Sequence, residues 1–360
     1  MTKLNPSNER IKRDYCRYLK GARGKSEATL DEARKALSRY EEYTRHRDFC
    51  SFCREQAIGF KEHLAETSRL KTGETLSHST QVRTLAMLKE FFIWLAWQRG
   101  FKSKIHVPDI EYLNPAIKDA TAAKSAKLRD FPSLEQIRAA IDAAPVASVV
   151  ERRNRALLAF AILTGMRDRA LVSVSLRDVD LSKKPPLVRQ EPGRIETKFS
   201  KNINTYFFPL GDDLTAIIVD WIEELRTRLL FAPTAPLFPR TKVRQGDNLS
   251  FEADGVEPIH WRNASPVRQI FRQAFERVGL NYFPPHSFRR TLGHLMQTVC
   301  RTPQQIKAWS QNLGHENVAT TLTSYGKIDP HQQGDIIAAI TLEASEPDDD
   351  VLAKIRALVA

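Results

Sequence analysis

Four short segments of this 360-residue chain carry side chains equipped for chemistry. Thr164-Gly165-Met166-Arg167 closes an apolar stretch with a glycine and sets an arginine behind it. Ser200-Lys201-Asn202 places a lysine in a turn between β-forming runs, eight positions before Pro209. In His286-Ser287-Phe288-Arg289 the histidine and arginine, three apart, share one face of the helix that follows a double proline. Leu313-Gly314-His315 is followed ten positions later by Tyr325. A guanidinium grips an anion in a planar fork. Imidazole and amine groups pass protons, and a phenol becomes a nucleophile once it loses its own. The set suits acid–base and nucleophilic chemistry at a negatively charged centre.

Taken singly, each segment has an ordinary reading. Gly-x-Arg is a helix cap with a solvated cation, Lys201 a turn lysine, and Gly-His a histidine meeting a helix dipole. Tyr325 fits a core or a surface. Their order, and the elements they fall on, make the combination specific. Together they resemble the signature boxes of the tyrosine recombinases, the family of phage integrases and chromosome-dimer resolvases. Thr164-Gly165-Met166-Arg167 resembles the first box with its catalytic arginine. Lys201, ahead of a strand ending in Pro209-Leu210, resembles the β-hairpin lysine. His286 and Arg289 resemble the second box, and Leu313-Gly314-His315 with Ala319-Thr320-Thr321 and Tyr325 the last. The resemblance covers about residues 131–330, and the helical region before it is similar to the family's core-binding domain.

The resemblance implies a site-specific DNA recombinase that cleaves and rejoins DNA through a 3′-phosphotyrosyl intermediate, in integration, excision or resolution of a DNA element. Tyr325 is then the nucleophile. Arg167 and Arg289 clamp the phosphate with His315 as a further donor. His286 is the base for a phenol whose ordinary pKa is roughly 10, and Lys201 the acid for the leaving 5′ oxygen. The bond energy is conserved, so no ATP, metal or other cofactor is expected. Neither a Gly-x-x-x-x-Gly-Lys loop nor a His-Glu-x-x-His pair occurs in the sequence. The implied partner is double-stranded DNA, held by a homotetramer on two sites that exchanges strands through a Holliday junction, with accessory DNA-bending or partner recombinase proteins. A type IB topoisomerase-like relaxing enzyme and a catalytically inactive DNA-binding protein of the same fold are the alternatives. Two features depart from the family pattern. Many relatives carry an acidic residue three places after the first arginine, where this chain has Ala170, with Asp168 nearer. The interval from His315 to Tyr325 is also one residue longer than the usual nine, which turns a helical side chain by about 100° unless the intervening turn absorbs it.

Between these segments the pattern is mostly α with a small antiparallel β-sheet. Residues 1–25 read as a mobile basic arm, 26–115 as a helical core-binding domain, 116–130 as a linker, 131–335 as the catalytic domain and 336–360 as a tail that packs on a neighbouring protomer. Helical periods cover residues 27–46, 52–64 and 79–99. Ser133 caps a helix to 141, and another spans 154–163. Short β runs fall at 187–188, 195–197 and 206–208, with a helix at 214–230 and a polar surface insertion at 232–262. Helices follow from 265, 287, 303 and 317. His46, Arg47, Lys61, Arg69, Lys71, Arg83 and Lys89 on the first domain's outer faces are candidates to track phosphates.

Lys and Arg number 55 against 43 Asp and Glu, a net charge of +12, which favours a polyanionic partner. The longest apolar run, residues 156–163, is far short of the ~20 that span a membrane. The polar start shows no secretion signal. Cys16, Cys50, Cys53 and Cys300 form no disulfide framework, so a cytoplasmic, nucleoid-associated setting is expected. Cys50 and Cys53 lack a second pair for zinc. Trp94, Trp97 and His294 read as packing residues.

Overall fold

The computed structural model describes residues 4–66, 75–116, 130–196, 202–245 and 250–315. The chain divides into two compact units, residues 1–128 and 129–360. The described elements are mostly helices, with two small antiparallel sheets.

In the first unit, α1 (Pro6–Gly21), α2 (Glu27–Tyr43), α3 (Arg54–Glu66), α4 (His78–Ala96) and the short α5 (Val107–Ile110) enclose an aromatic core. Tyr15, Tyr40, Phe49, Phe60, Phe91 and Phe92 are buried there, and Phe52 stacks on Phe92 with ring centres 3.9 Å apart. Residues 6–21 are therefore not the mobile arm expected from their charge. Asn5 caps α1, and Ile11, Tyr15 and Leu19, four apart, form an apolar stripe that the surrounding basic residues hide in the composition. Buried Asn8 ties the helix down: it donates to Glu41 and to Arg47 O and accepts from Phe49 N. Trp94 packs on Tyr15, as expected. Trp97 does not; α4 stops at Ala96, before the next inward position, and Trp97 is left 69% exposed.

The second unit holds α6 (Leu134–Asp142), α7 (Val149–Thr164), α8 (Asp168–Ser173), α9 (Asp212–Glu223), α10 (Ser265–Arg277), α11 (Pro285–Val299) and α12 (Pro303–Asn312). Every residue from Ala156 to Thr164 is buried, because a helix apolar on all sides must be wrapped on all sides. Capping boxes of Ser133 with Gln136, Ser148 with Glu151 and Thr302 with Gln305 fix where α6, α7 and α12 begin. The strands β1 (Val179–Asp180), β2 (Leu187–Gln190) and β3 (Ile203–Tyr206) pair in that order, with Leu187 opposite Tyr206 and Gln190 opposite Ile203.

Two expectations are corrected here. Ile195 and Glu196 form no strand; the chain turns through Gly193, at φ +82°, and Ile195 drops into the core. The stretch 232–262 is only partly a surface insertion. Ala235, Leu237, Phe238 and Trp261 are core residues, and Trp221 Nε1 donates to Leu237 O at 2.8 Å. What protrudes is the hairpin of β4 (Arg240–Gln245) and β5 (Phe251–Glu257). Polar composition concealed four apolar anchors spaced along the segment.

Candidate active site

The end of α7 creates the first part of the site. Gly165 closes the helix in the left-handed region at φ +58°, and a Cβ there would meet the Leu292 and Leu313 side chains at 2.8 Å. Only glycine lets the three segments approach so closely. The chain then extends through buried Met166 to half-exposed Arg167, the residue that precedes α8.

On α11, Arg289 points inward and is 2% exposed. Its Nη1 donates to Gly165 O, and its Nη2 donates to Leu313 O at 2.6 Å and meets His315 Nε2 at 2.9 Å. One guanidinium thus joins the end of α7 to the end of α12. His286 lies one turn earlier on the same helix, at the surface. Thr291 secures α11 by donating to Pro132 O.

The last segment is set by a helix cap. Gly314, at φ +71°, donates to Gln311 O at 2.7 Å, and His315 N donates to Ser310 O at 3.1 Å. This two-bond closure reverses the chain past α12 and delivers His315 beneath Arg289. Arginine nitrogens only donate, so His315 Nε2 accepts, and the ring carries its proton on Nδ1.

The two histidines feel the arginines around them. Burial first, then Arg289, Arg290 and Arg167, push the His286 pKa down to about 4, with Asp168 opposing. His286 is an exposed residue, but the atoms crowding its ring still strip part of its water. Burial, then Arg289, Arg167 and His286, push His315 down to about 4 as well. Both rings are neutral at pH 7.

A consequence for stability follows. An unfolded histidine titrates near 6.5, so between pH 6.5 and 4 the unfolded chain binds protons that the folded chain refuses. Stability is complete above that window and falls as the pH drops through it. His315, at 8% exposure, is expected to account for about 1–3 kcal/mol of the loss. Urea unfolding at pH 7 and 4.5 checks this: His315→Asn should lose less stability on acidification than the wild type, and equal losses would refute the shift.

Four of the six expected site residues, Arg167, His286, Arg289 and His315, are therefore brought together. Lys201 and Tyr325 lie outside the described residues, as do Arg69, Lys71, the helix expected at 317–325 and the tail at 336–360. Ala170 is buried and lines, with Arg167, Gln190, Thr205 and Arg289, a cavity of about 10 Å³, room for one water molecule. Asp168 does not take over the missing acidic position; it pairs with Arg268 at 2.6 Å. Sequence reading missed Asn312, Gln190 and Thr205, which bind β3 to the end of α12. The one available signal was that Asn312 directly precedes Leu313-Gly314-His315. Of the first unit's candidate phosphate contacts, Lys89 reaches Glu111 and Asn114, Lys61 reaches Asn114 O, and Arg83 lies 3.7 Å from Glu32. Exposed pairs of this kind are worth little to stability.

Comparison with known proteins agrees with the geometry. A sequence model of the phage integrase family matches residues 132–331, and one for the phage integrase N-terminal SAM-like domain matches residues 13–99. The chain is 24% identical over 306 residues to the tyrosine recombinase XerC of Halalkalibacterium halodurans, spanning 84% of this chain and 88% of that protein. Its fold is similar to that of the XerH site-specific recombinase bound to palindromic difH substrate in a post-cleavage complex, with a TM-score of 0.60 and 15% identity over 91% of this chain and 83% of that one. It is also similar to a lambda integrase dimer bound to a COC′ core site, with a TM-score of 0.58 and 14% identity over 89% and 95%.

Proposed function

We propose, because this chain belongs to the phage integrase family of tyrosine recombinases, that it recombines DNA at specific sites through a 3′-phosphotyrosyl link on Tyr325. One observation carries the reading: Arg167, His286, Arg289 and His315, from three separate stretches of chain, share one charged neighbourhood at the ends of α7 and α12. The net charge of +12 supports a nucleic-acid partner.

Arg167 and Arg289 hold the nonbridging oxygens of one scissile phosphate, where charge builds as the phenol attacks, and His315 donates a third bond. His286 accepts the phenol proton. Alone its ring is a weak base, because burial first and then the arginines depress it. The phosphate's negative charge offsets those arginines and raises its basicity when DNA is bound. As the bond from Tyr325 to phosphorus forms, the bond to the 5′ oxygen breaks, and Lys201 supplies that oxygen with a proton. The new ester keeps the bond energy, so attack by a second 5′ hydroxyl reverses the step without ATP. A homotetramer on two DNA sites, protomer contacts through residues 336–360, accessory proteins and work on the bacterial nucleoid belong to the same reading.

The test uses a duplex that the protein selects by binding from a random-sequence library, nicked so that the cleaved end is lost. A covalent protein–DNA adduct is expected from the wild type. Binding without adduct would identify a DNA-binding protein that has lost catalysis. Joining of two such sites distinguishes recombination from relaxation of supercoiled DNA alone, the topoisomerase outcome.

A further inference from the structure

Strand β3 is tied to the end of α12 by side-chain hydrogen bonds. Among the described residues β3 is an edge strand, paired on one side with β2. On its other side the Asn312 side chain takes the place of a neighbouring strand. Tyr206 N donates to Asn312 Oδ1 at 2.7 Å, and Asn312 Nδ2 donates to Tyr206 O at 2.8 Å. An amide side chain forms here the two-bond ring that a peptide group would form in a sheet. Two further contacts lie along the same strand. Thr205 Oγ1 donates to Asn312 O at 3.2 Å and accepts from Gln190 Nε2 at 2.8 Å, in a buried chain that reaches β2. Gly314 sits against Ile203, where a Cβ would come within 2.9 Å.

Two residues with proposed roles flank this seam in the sequence. Lys201 stands two residues before Ile203, and His315 three residues after Asn312. We infer that Asn312 is a positioning residue that locks β3, which begins two residues after Lys201, in register with the helix end bearing His315, so that the proton donor and the phosphate-holding imidazole act on one phosphate. The inference rests on the proposed roles of those two residues. A fixed seam matters because a proton donor displaced by about 1 Å loses roughly a hundredfold in rate.

The experiment measures single-turnover cleavage by the full chain on the selected nicked duplex, made with either the ordinary 5′ oxygen or a bridging 5′ sulfur at the scissile phosphate. A sulfur leaving group departs without a proton, so it cancels a defect in protonation and nothing else. Asn312→Ala and Asn312→Asp are compared with Lys201→Ala. The aspartate keeps the shape and can still accept from Tyr206 N, but has no group to donate to Tyr206 O. Both Asn312 variants are expected to cleave the oxygen duplex about ten- to a hundredfold more slowly, with DNA affinity unchanged, and to recover most of that loss on sulfur, as Lys201→Ala does. If Lys201→Ala recovers on sulfur while the Asn312 variants are either unimpaired or equally slow on both duplexes, the seam does not position the donor. If Lys201→Ala itself fails to recover, Lys201 is not the acid, and the inference falls with that assignment. Thermal unfolding of each variant identifies general loss of fold, which slows both duplexes alike and counts against the inference.

Discussion

With Tyr325 changed to phenylalanine, the protein is expected to bind its duplex with unchanged affinity and to form no covalent adduct at all. The substitution removes one oxygen and leaves the ring, so the side chain keeps its size while the proposed nucleophilic atom is gone. No tyrosine follows position 325, and the nearest before it is Tyr282. That residue is already committed elsewhere: the Arg272 guanidinium lies 4.4 Å from its ring centre, and burial pushes its phenol pKa up, away from ionisation. Denaturing electrophoresis of labelled suicide duplex reads the result directly. An adduct of wild-type yield from Tyr325→Phe would move the nucleophile to another residue.

The second large effect separates the two arginines. Arg289→Ala is expected to abolish cleavage and also to destabilise the second unit by about 3 kcal/mol or more, since the carbonyls of Gly165 and Leu313 lose their donor in a buried place. Arg289→Lys should fare little better, because one ammonium cannot reproduce a planar fork that reaches two carbonyls and a ring nitrogen. Arg167→Ala is different. Its side chain is half exposed, and no hydrogen bond from it is made among the described residues. Cleavage should fall by about 10²–10³-fold, the usual cost of one charge-stabilising donor, with the unfolding midpoint unmoved. Cleavage rates and urea midpoints on the three variants decide the matter. A stable Arg289→Ala protein, or an Arg167→Ala protein that cleaves at full rate, would overturn the division of labour.

How much of this was legible in the sequence depended on distance along the chain. Helices announce themselves locally, so the end of the apolar helix at Gly165 and both bounds of the helix opened by Thr302 and Pro303 are legible, whereas the start of the former lies at Val149, five residues before the expected 154. Glycines at helix ends and the His286–Arg289 spacing are local signals too, and they located the four residues that converge. What failed was long-range. The stripe of Ile11, Tyr15 and Leu19 was masked by the lysines and arginines between them, and it becomes visible only against the aromatic core it completes. Ile195 has a strand former's side chain but follows a proline–glycine turn that sends it inward. Asn312 resembled any polar residue near a helix end, because its partner, the Tyr206 backbone, lies 106 positions away. A backbone group has no signature in sequence.

The bridge made by Arg289 has one more consequence. Gly165 and Leu313 are the capping residues at the C-terminal ends of α7 and α12, so their carbonyls are the negative poles of two helices that converge on a single buried cation. Each pole acts as roughly half an elementary negative charge. A carboxylate in that role would be erased by acid, and would compete with an arriving anion as a full rival charge. A helix pole does neither: it cannot take up a proton, and it holds the guanidinium in place while leaving it attractive to a phosphodiester. The backbone thereby supplies a counter-charge that persists wherever the fold persists.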